Sequence, residues 1–268
     1  MLKDITLGQY FPGNSVAHKL DPRTKILLVT LYIIALFSAK GLIGYAVMIA
    51  TLAACVKVSH VGLKSLVRGL KPLVVIIVFT GVLNVFFTPD THYLWEWGIL
   101  RISVKGVENA LFMVVRIMLL VMGTFLMTYT TSPIRLTDGL ESLLNPLKKI
   151  HVPVHELAMM MAIALRFIPT LIEETDKIMS AQKARGADFE SGNLFQKAKA
   201  LVPILVPLFI SAFRRADELA TAMECRCYHG GEGRTKLHVL KYQRRDYIAL
   251  AGGAVILVLV VVLRKLGA

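Results

Sequence analysis

Cysteine is scarce in this 268-residue chain, which has only Cys55, Cys225 and Cys227. Three cysteines form neither an even set for a disulfide framework nor a paired metal motif. Cys225, Cys227 and His229 lie within five residues of one another. Without a second ligand pair, however, they are better explained as small residues at a helix end. We therefore expect reduced thiols and no metal bound by this chain.

Signatures of catalysis are also missing. No Gly-Lys dipeptide occurs in the sequence, so a Walker A phosphate-binding loop is absent and we expect no ATP bound in that manner. Asp138 and Glu141 fall on one helical face, but no histidine or second carboxylate cluster is near them in sequence. The prediction is a protein that is not an enzyme and has no catalytic residues.

Acidic residues are few, with 18 Asp and Glu against 31 Lys and Arg and a formal net charge of +13. Such an excess could bind nucleic acid. The chain is also 55% hydrophobic, with a mean hydropathy of +0.61, whereas soluble domains are usually ~45 to 50% apolar. Basic residues of membrane proteins collect on cytosolic loops that face anionic lipid. We therefore expect the lipid bilayer, and no nucleic acid, as the partner of these charges.

Ten-residue segments of alternating apolar and polar residues, the signature of membrane β-strands, are absent as well. Because a backbone in lipid must satisfy its own hydrogen bonds, a helical protein is favoured. The predicted fold class is an all-α integral membrane protein. About five stretches approach the ~20 residues that cross a bilayer: 26–39, 42–58, 72–87, 107–130 and 247–263. The first two are short, and one bent or re-entrant unit is an alternative for them.

The basic residues predict the orientation of these spans. Lysine and arginine cluster at 19–25, before the first span, and at 57–71, after the second. Both segments are therefore expected in the cytosol. Residues 88–106, with Asp90, Trp95, Glu96 and Trp97, are then external, and the tryptophans suit the membrane interface. Five crossings place the carboxyl terminus outside.

Three polar features near the spans have structural interpretations. Asp21 before Pro22 is typical of a helix N-cap followed by proline at the first helical position. Arg116, inside the fourth span, is expected to pair internally or to extend its charge toward the membrane surface. Residues 1–10 lack the basic-then-apolar layout of a cleaved signal peptide, so we expect the first span to remain in the protein.

Residues 132–246 differ from the flanking transmembrane segments, 1–131 and 247–268. Apolar residues recur every three or four positions from Glu156 to Met179 and again from Leu201 to Met223, which predicts two long amphipathic helices. Charged residues argue against membrane spans here: Arg166, Glu173, Glu174, Asp176, Lys177, Arg214, Arg215, Asp217 and Glu218. We predict a cytosolic domain.

Prolines interrupt both of these helical patterns. Pro169 lies in the first, and Pro203 and Pro207 lie in the second. Proline removes a backbone donor and clashes with the preceding turn, so each is expected to kink or break its helix.

The two long helices end in related sequences, which we call the helix-end motifs: Ala184-Arg185-Gly186 and Cys225-Arg226-Cys227. Asp176 and Asp217 each lie nine residues before the motif arginine. One interpretation is that each arginine bonds the free carbonyls of its own helix. Two such ends in one domain instead favour a paired docking device, because the planar guanidinium makes bidentate contacts with carboxylates or carbonyls.

Methionine is concentrated at the start of the first long helix, at Met159, Met160 and Met161. Consecutive residues point to different helix faces, so a copper site is disfavoured. Flexible thioethers instead suit adjustable packing. We predict that these residues and Ala164 pack against a partner that moves.

With these motifs in view, the chain resembles the T component, the transmembrane scaffold, of energy-coupling factor transporters. These are ABC importers for vitamins and transition metals. The resemblance covers nearly all of the chain and rests on Leu20-Asp21-Pro22-Arg23-Thr24-Lys25, Arg166-Phe167-Ile168-Pro169 and the helix-end motifs. That family's motif reads Ala-Arg-Gly. The first motif matches it fully, whereas the second keeps only Arg226.

The resemblance implies a set of partners. Two cytosolic ABC ATPases, which bind ATP and Mg²⁺, would receive the helix-end motifs in grooves, and this chain would bind no cofactor. A small substrate-binding membrane protein, the S component, would be held by the scaffold and would pack on the Met159–Ala164 surface. The unequal flanks of Arg185 and Arg226 suggest that the ATPases are a heterodimer. The location implied is a bacterial or archaeal cell membrane.

The leading hypothesis is therefore a coupling subunit for uptake of a vitamin or other micronutrient. One alternative is a T component dedicated to cobalt or nickel. Another is a membrane enzyme with a site at the cytosolic face, for which Asp21, Asp138, Glu141 and His155 are the residues to replace. A self-contained carrier is the third alternative, and it predicts transport by the purified chain alone.

Overall fold

The computed structural model describes residues 10–88, 93–97, 100–189, 193–230 and 239–266. Within these ranges the chain forms ten α-helices and one pair of short strands. The prediction of an all-α integral membrane protein is confirmed, with the strand pair as a small addition. In chain order the elements are α1 (Val16–Lys19), α2 (Pro22–Ser38), α3 (Gly41–Ser59), α4 (Leu63–Leu70), α5 (Val74–Phe87), β1 (Tyr93–Trp97), β2 (Leu100–Ser103), α6 (Val104–Thr130), α7 (Pro133–Leu144), α8 (Val154–Ala184), α9 (Leu194–Glu224) and α10 (Arg244–Lys265).

The strands form an antiparallel hairpin within the stretch 88–106 that the sequence assigns to the outside. Tyr93 pairs with Ser103, and Trp97 pairs with Leu100. Strands of five and four residues are about half the length that crosses a bilayer. The hairpin was not predicted, because its tryptophans were interpreted only as interface residues. Asp90 lies outside the described residues.

The first two apolar stretches are two separate helices, so they do not form one bent helix. The alternative of a re-entrant unit stays a prediction. α2 begins as predicted, with Asp21 as N-cap accepting from Arg23 N at 2.9 Å and Pro22 as first helical residue. Ala39 and Lys40 are both extended, and α3 begins at Gly41. Two successive extended residues interrupt the helical hydrogen bonds completely, which makes a break rather than a bend.

A buried core joins α2, α3, α4, α6 and α10. It lies in the first of two compact units, the described parts of Gly8–Gly139 with Leu240–Ala268. Its largest fully buried side chains are Leu36, Met48, Leu66 and Val260, at 0 to 1% exposure. Tight packing of this kind, rather than a hydrophobic driving force, is what associates helices in lipid.

Arg116 confirms the expectation of an internal partner inside the first unit. Its guanidinium carbon lies 5.8 Å from the centre of the Phe37 ring and 5.7 Å from that of Tyr45. Aromatic faces at this distance attract a cation. Arg116 Nε and the Tyr45 hydroxyl are both buried, without a hydrogen-bond partner in the part of the chain that the structure describes.

The second compact unit is the described part of Leu140–Val239. Its main elements, α8 and α9, have 31 residues each, or about 46 Å at 1.5 Å per residue. α9 begins with a capping box, in which Gln196 Oε1 accepts from Asn193 N at 3.1 Å. The boundaries predicted for the cytosolic domain, 132 and 246, both fall inside the first unit.

The prolines do not break these helices, and the expected kinks stay a prediction. Pro169 lies inside α8, and Pro203 and Pro207 lie inside α9. A proline leaves the carbonyl four residues earlier without its helical donor, but another donor can take that place. Here Gln182 Nε2 donates to Pro203 O at 3.5 Å. That carbonyl is the one that Pro207, lacking an N–H, cannot bond.

Among the described residues, six helical segments are long and apolar enough to cross a membrane by length and composition alone. Four of these segments match predicted spans. They are α3, the continuous segment formed by α4 and α5, α6, and α10. α2 has 17 residues, about 26 Å, slightly less than a ~30 Å hydrocarbon core. α8 and α9 complete the six. They qualify because most of their charged residues lie in the carboxyl-terminal half, which leaves an apolar first half.

Candidate functional site

The end of α8 is closed by a left-handed glycine. Arg185 N donates to Ala181 O and Gln182 O at 3.2 and 3.1 Å, and Gly186 N donates to Lys183 O at 3.0 Å. Ala187 N then reaches back to Gln182 O at 3.0 Å. With φ of 86° at Gly186, this is the Schellman arrangement, in which glycine adopts the left-handed conformation at no steric cost.

The end of α9 repeats this backbone pattern at the aligned residues. Arg226 N donates to Met223 O at 3.1 Å, Cys227 N to Glu224 O at 2.8 Å, and Tyr228 N to Met223 O at 3.0 Å. Cys227 has φ of 54° and so occupies the position of Gly186. The repeat seen in the sequence is therefore also a repeat of structure, although a cysteine stands where glycine is unstrained.

All six residues of the two helix-end motifs are exposed. Neither Arg185 nor Arg226 has a side-chain hydrogen bond or ion pair with any described residue. In the structure, neither arginine side chain bonds the last carbonyls of its own helix, so that interpretation is wrong. Two guanidinium groups thus lie at fixed helix ends, and no described residue occupies their donors.

Two contacts fix how α8 and α9 run relative to each other. Arg215 Nη2 donates to Glu174 Oε2 at 2.8 Å, and Gln182 Nε2 donates to Pro203 O at 3.5 Å. Residue numbers rise along one helix as they fall along the other, so the helices are antiparallel. Arg185 follows Gln182 closely, whereas Arg226 lies 23 residues beyond Pro203, which separates the motifs by a distance on the order of 30 Å.

The methionine surface is only partly open. Met160 is 55% exposed and Ala164 is exposed, and these two residues, four apart, share a face of α8 with the exposed Leu157. Met159 and Met161 are half-buried. The structure therefore leaves Met160 and Ala164, rather than the whole predicted set, available for contact with a partner.

One contact that the sequence did not predict joins α7 to α8. His155 Nδ1 lies 3.1 Å from Glu141 Oε1, although the residues are 14 apart. The short turn Asn145–Ile150 and a left-handed His151 link the two helices and allow the contact. The only signal in the sequence was a histidine in the first turn of the next helix.

Within the described residues no group of three or more His, Cys, Asp or Glu could hold a metal ion.

These features define the class of the protein. A first unit of packed apolar helices carries, within the same chain, two long helices with matching, exposed arginine ends. It is a helical integral membrane protein, and the paired ends are its candidate functional site.

Comparison with known proteins identifies the family. A family model described as "Cobalt transport protein" matches residues 13–237. Energy-coupling factor transporter transmembrane protein EcfT of Clostridium kluyveri is 57% identical over 250 residues, 93% of each chain. The protein of the same name from Ruminiclostridium cellulolyticum is 54% identical over 92% of each chain. That of Bacillus subtilis is 46% identical over 98% of this chain and 100% of its own.

The chain belongs to the family of energy-coupling factor transporter transmembrane proteins, EcfT. It is accordingly a transmembrane component of such a transporter and a multi-pass protein of the bacterial cell membrane. The resemblance drawn from the motifs is confirmed.

Proposed function

We propose that this chain is the non-catalytic coupling subunit of an energy-coupling factor importer. It converts the closing and opening of two cytosolic ABC ATPases into movement of a small substrate-binding membrane subunit. ATP and Mg²⁺ are bound by the ATPases, and this chain supplies no cofactor site. Membership of the family supports the transporter role, and the names of the relatives describe a transmembrane component.

The observation that carries the proposal is the pair of exposed helix-end motifs. Each presents a guanidinium that pairs with no described residue, beside a helix end that is fixed by the same capping pattern. The backbone at each end is already fixed, and the planar fork of arginine loses less entropy per hydrogen bond than a lysine would, which suits docking. Because the motifs lie far apart and differ in their flanks, we propose that Arg185 and Arg226 dock in different ATPase subunits of a heterodimer.

The test is co-purification of each ATPase with tagged Arg185→Glu and Arg226→Glu chains. A charge-assisted contact contributes roughly 1.5 to 3 kcal/mol to binding. A variant that loses this contact should therefore hold its own ATPase about ten- to a hundredfold less tightly. Arg214→Glu is the matched control, because this exposed arginine on α9 lies outside the motifs. It should retain both ATPases.

Two results would count against parts of the proposal. Equal loss of both ATPases from either single variant would remove the assignment of one subunit to each motif. Normal assembly and normal uptake in cells carrying both substitutions would remove docking by these motifs altogether.

We further propose that residues 132–246 are cytosolic, which the charged second halves of α8 and α9 support. A cysteine placed at Ser191, which lies outside the described residues, should react only with membrane-permeant reagents in intact cells. Reaction with an impermeant reagent from outside would reverse this topology.

The proposed cargo is a vitamin or other micronutrient that is bound by the separate membrane subunit. A second candidate is a cobalt or nickel ion, and cobalt is the metal named in the description of the matching family model. Uptake of a panel of radiolabelled B vitamins and of radioactive Co²⁺ by cells with and without this chain separates the two. If only the uptake of Co²⁺ depends on the chain, the dedicated metal transporter is favoured.

A further inference from the structure

The first turn of α2, residues Asp21–Lys25, makes contacts that helix capping does not require. We call this turn the α2 anchor. Asp21 accepts from Arg23 N and so caps the helix. The same aspartate is also held by the Arg23 side chain, through Nε to Oδ1 at 3.1 Å and Nη2 to Oδ2 at 3.0 Å. The backbone N–H of Asp21 and the side chain of Lys25 take no part in this bidentate pair, and both bind other helices.

Lys25 binds the end of α6. Its side chain is buried, with the residue only 6% exposed. Its ammonium group donates to Thr130 O at 2.8 Å and to Thr131 Oγ1 at 3.0 Å. A cation at a helix carboxyl terminus satisfies carbonyls that have no donor within the helix.

Gly139 places α7 against the same turn. A Cβ at this position would lie 3.0 Å from Pro22 Cβ, 3.2 Å from Pro22 C and 3.3 Å from Arg23 N. Two of these three atoms are backbone and cannot move away easily. α7 therefore approaches the α2 anchor as closely as it does because residue 139 has no side chain.

The start of α10 is bound by the other side of the turn. Asp246, at 1% exposure, accepts from Asp21 N at 2.8 Å through Oδ1 and from Gln243 N at 2.7 Å through Oδ2. The Arg23 guanidinium carbon lies 4.1 Å from the centre of the Tyr242 ring. One carboxylate thus caps α10 and ties it to α2.

These contacts lie on the two chain segments that lead into and out of Leu140–Val239. Thr130, Thr131 and Gly139 precede that region, whereas Tyr242 and Asp246 follow it. Buried charges are costly to accommodate, and apolar packing alone could join these helices. A polar network concentrated on one helical turn, at both connections, is therefore best explained by a demand for fixed geometry.

We infer that the α2 anchor fixes both connections of Leu140–Val239, so that a force on that region reaches α2, α6 and α10 together. The inference rests on the proposed function, since the force would come from the ATPases. Residues 21–25 act as positioning residues in it and contact neither ATP nor cargo. It also gives a role to the Leu20–Lys25 motif, which docking of the helix ends does not use.

The test measures assembly, ATP hydrolysis and uptake with full-length tagged chains expressed in the native host. Lys25→Met removes the contact with α6, and Gly139→Ala presses α7 away from Pro22. Both chains should reach the membrane and co-purify ATPases in wild-type amounts, and ATP hydrolysis by the purified complex should stay close to wild type. Uptake of the radiolabelled vitamin or Co²⁺ that depends on this chain should fall by about tenfold. Lys25→Arg, which keeps a cation, should restore part of it.

Lys19→Met is the matched control, because this exposed lysine lies just before the anchor, and it should take up cargo normally. If the Lys25→Met chain does not accumulate in the membrane, the same measurements are made with Gly139→Ala and Tyr242→Leu, since neither removes a buried charge. Uptake that falls only in proportion to the amount of chain in the membrane would overturn the inference, as would normal uptake. If the wild-type chain captures no ATPase, the proposed function fails and the inference fails with it.

Discussion

The two units of the chain bury their apolar side chains to very different extents. In the described parts of Gly8–Gly139 and Leu240–Ala268, five helices contribute to one core. In the described part of Leu140–Val239, the buried apolar residues are only Val154, Ala158 and Ile204. Phe213, by contrast, is 73% exposed. The second unit has little core of its own, so its apolar faces require cover from lipid or from another protein.

The polar contacts of the two units differ in the same sense. In the first unit, Lys25 and Asp246 are almost fully buried and hydrogen-bonded. In the second, the Arg215–Glu174 pair between α8 and α9 has side chains 36% and 29% exposed. Exposed ion pairs stabilise by at most about 1 kcal/mol. This ion pair therefore contributes little to holding α8 against α9.

Reversing both motif arginines should have the largest effect on complex formation while leaving the first unit intact. Sites far apart usually contribute additively, so Arg185→Glu with Arg226→Glu should cost about 3 to 6 kcal/mol, or roughly a hundred- to ten-thousandfold in ATPase affinity. Titration of purified ATPases onto the immobilised chain measures this loss. A loss no larger than that of one single variant would mean that the motifs act as one site.

Two methionines provide a direct comparison of the units. Met48 is fully buried in the first unit and Met160 is 55% exposed in the second. Met48→Ala should destabilise the chain by about 2 to 5 kcal/mol, because it leaves a cavity, whereas Met160→Ala should change stability by less than about 0.5 kcal/mol. Thermal unfolding in detergent measures both. Equal destabilisation would show that Met160 belongs to a core.

A charge on the methionine surface should affect uptake without affecting stability. Met160→Asp should leave unfolding temperature and expression unchanged and reduce uptake, because a charge on an apolar docking face must be desolvated. Normal uptake by this variant would remove the methionine surface from the account.

The smallest expected effect concerns the left-handed residues of the two helix ends. Cys227→Gly should stabilise the end of α9 by up to about 1 kcal/mol, and Gly186→Ala should destabilise the end of α8 by a similar amount. Hydrogen exchange at the amides of Tyr228 and Ala187 reports each change, because both bond back into their helix. Faster exchange at Tyr228 in Cys227→Gly would contradict the structural equivalence of the two ends.

Local sequence pattern predicted the long helices of both units, whereas α1 and α4 were not predicted. The three-to-four-residue period placed α8 within two residues of its start, and the aligned arginines marked the two equivalent helix ends. The start of α9 was placed seven residues late, because the apolar period begins only at Leu201 while the capping residue is Asn193. The prolines did not mark helix ends, since a helix can continue through a proline when its freed carbonyl finds another donor.

Contacts between distant residues were beyond the reach of sequence pattern. Asp21 was correctly predicted as a helix cap, but its bond to Asp246 spans 225 residues and that of Lys25 to Thr130 spans 105. His155 and Glu141 meet only through the turn that links their helices. Local propensity contains no information on which helices become neighbours, so a single sequence cannot supply these pairs.

Docking as proposed requires that each helix-end motif touches a cytosolic ATPase in the cell. Site-specific photocrosslinking detects such contacts, with benzoylphenylalanine placed at Ala184, at Cys225 and, as a control, at Lys177. We expect Ala184 and Cys225 each to crosslink to an ATP-binding protein, a different one from each position, and Lys177 to give no such crosslink. Illumination that yields no ATPase adduct from either motif, while the complex still transports its cargo, would rule out docking by these motifs.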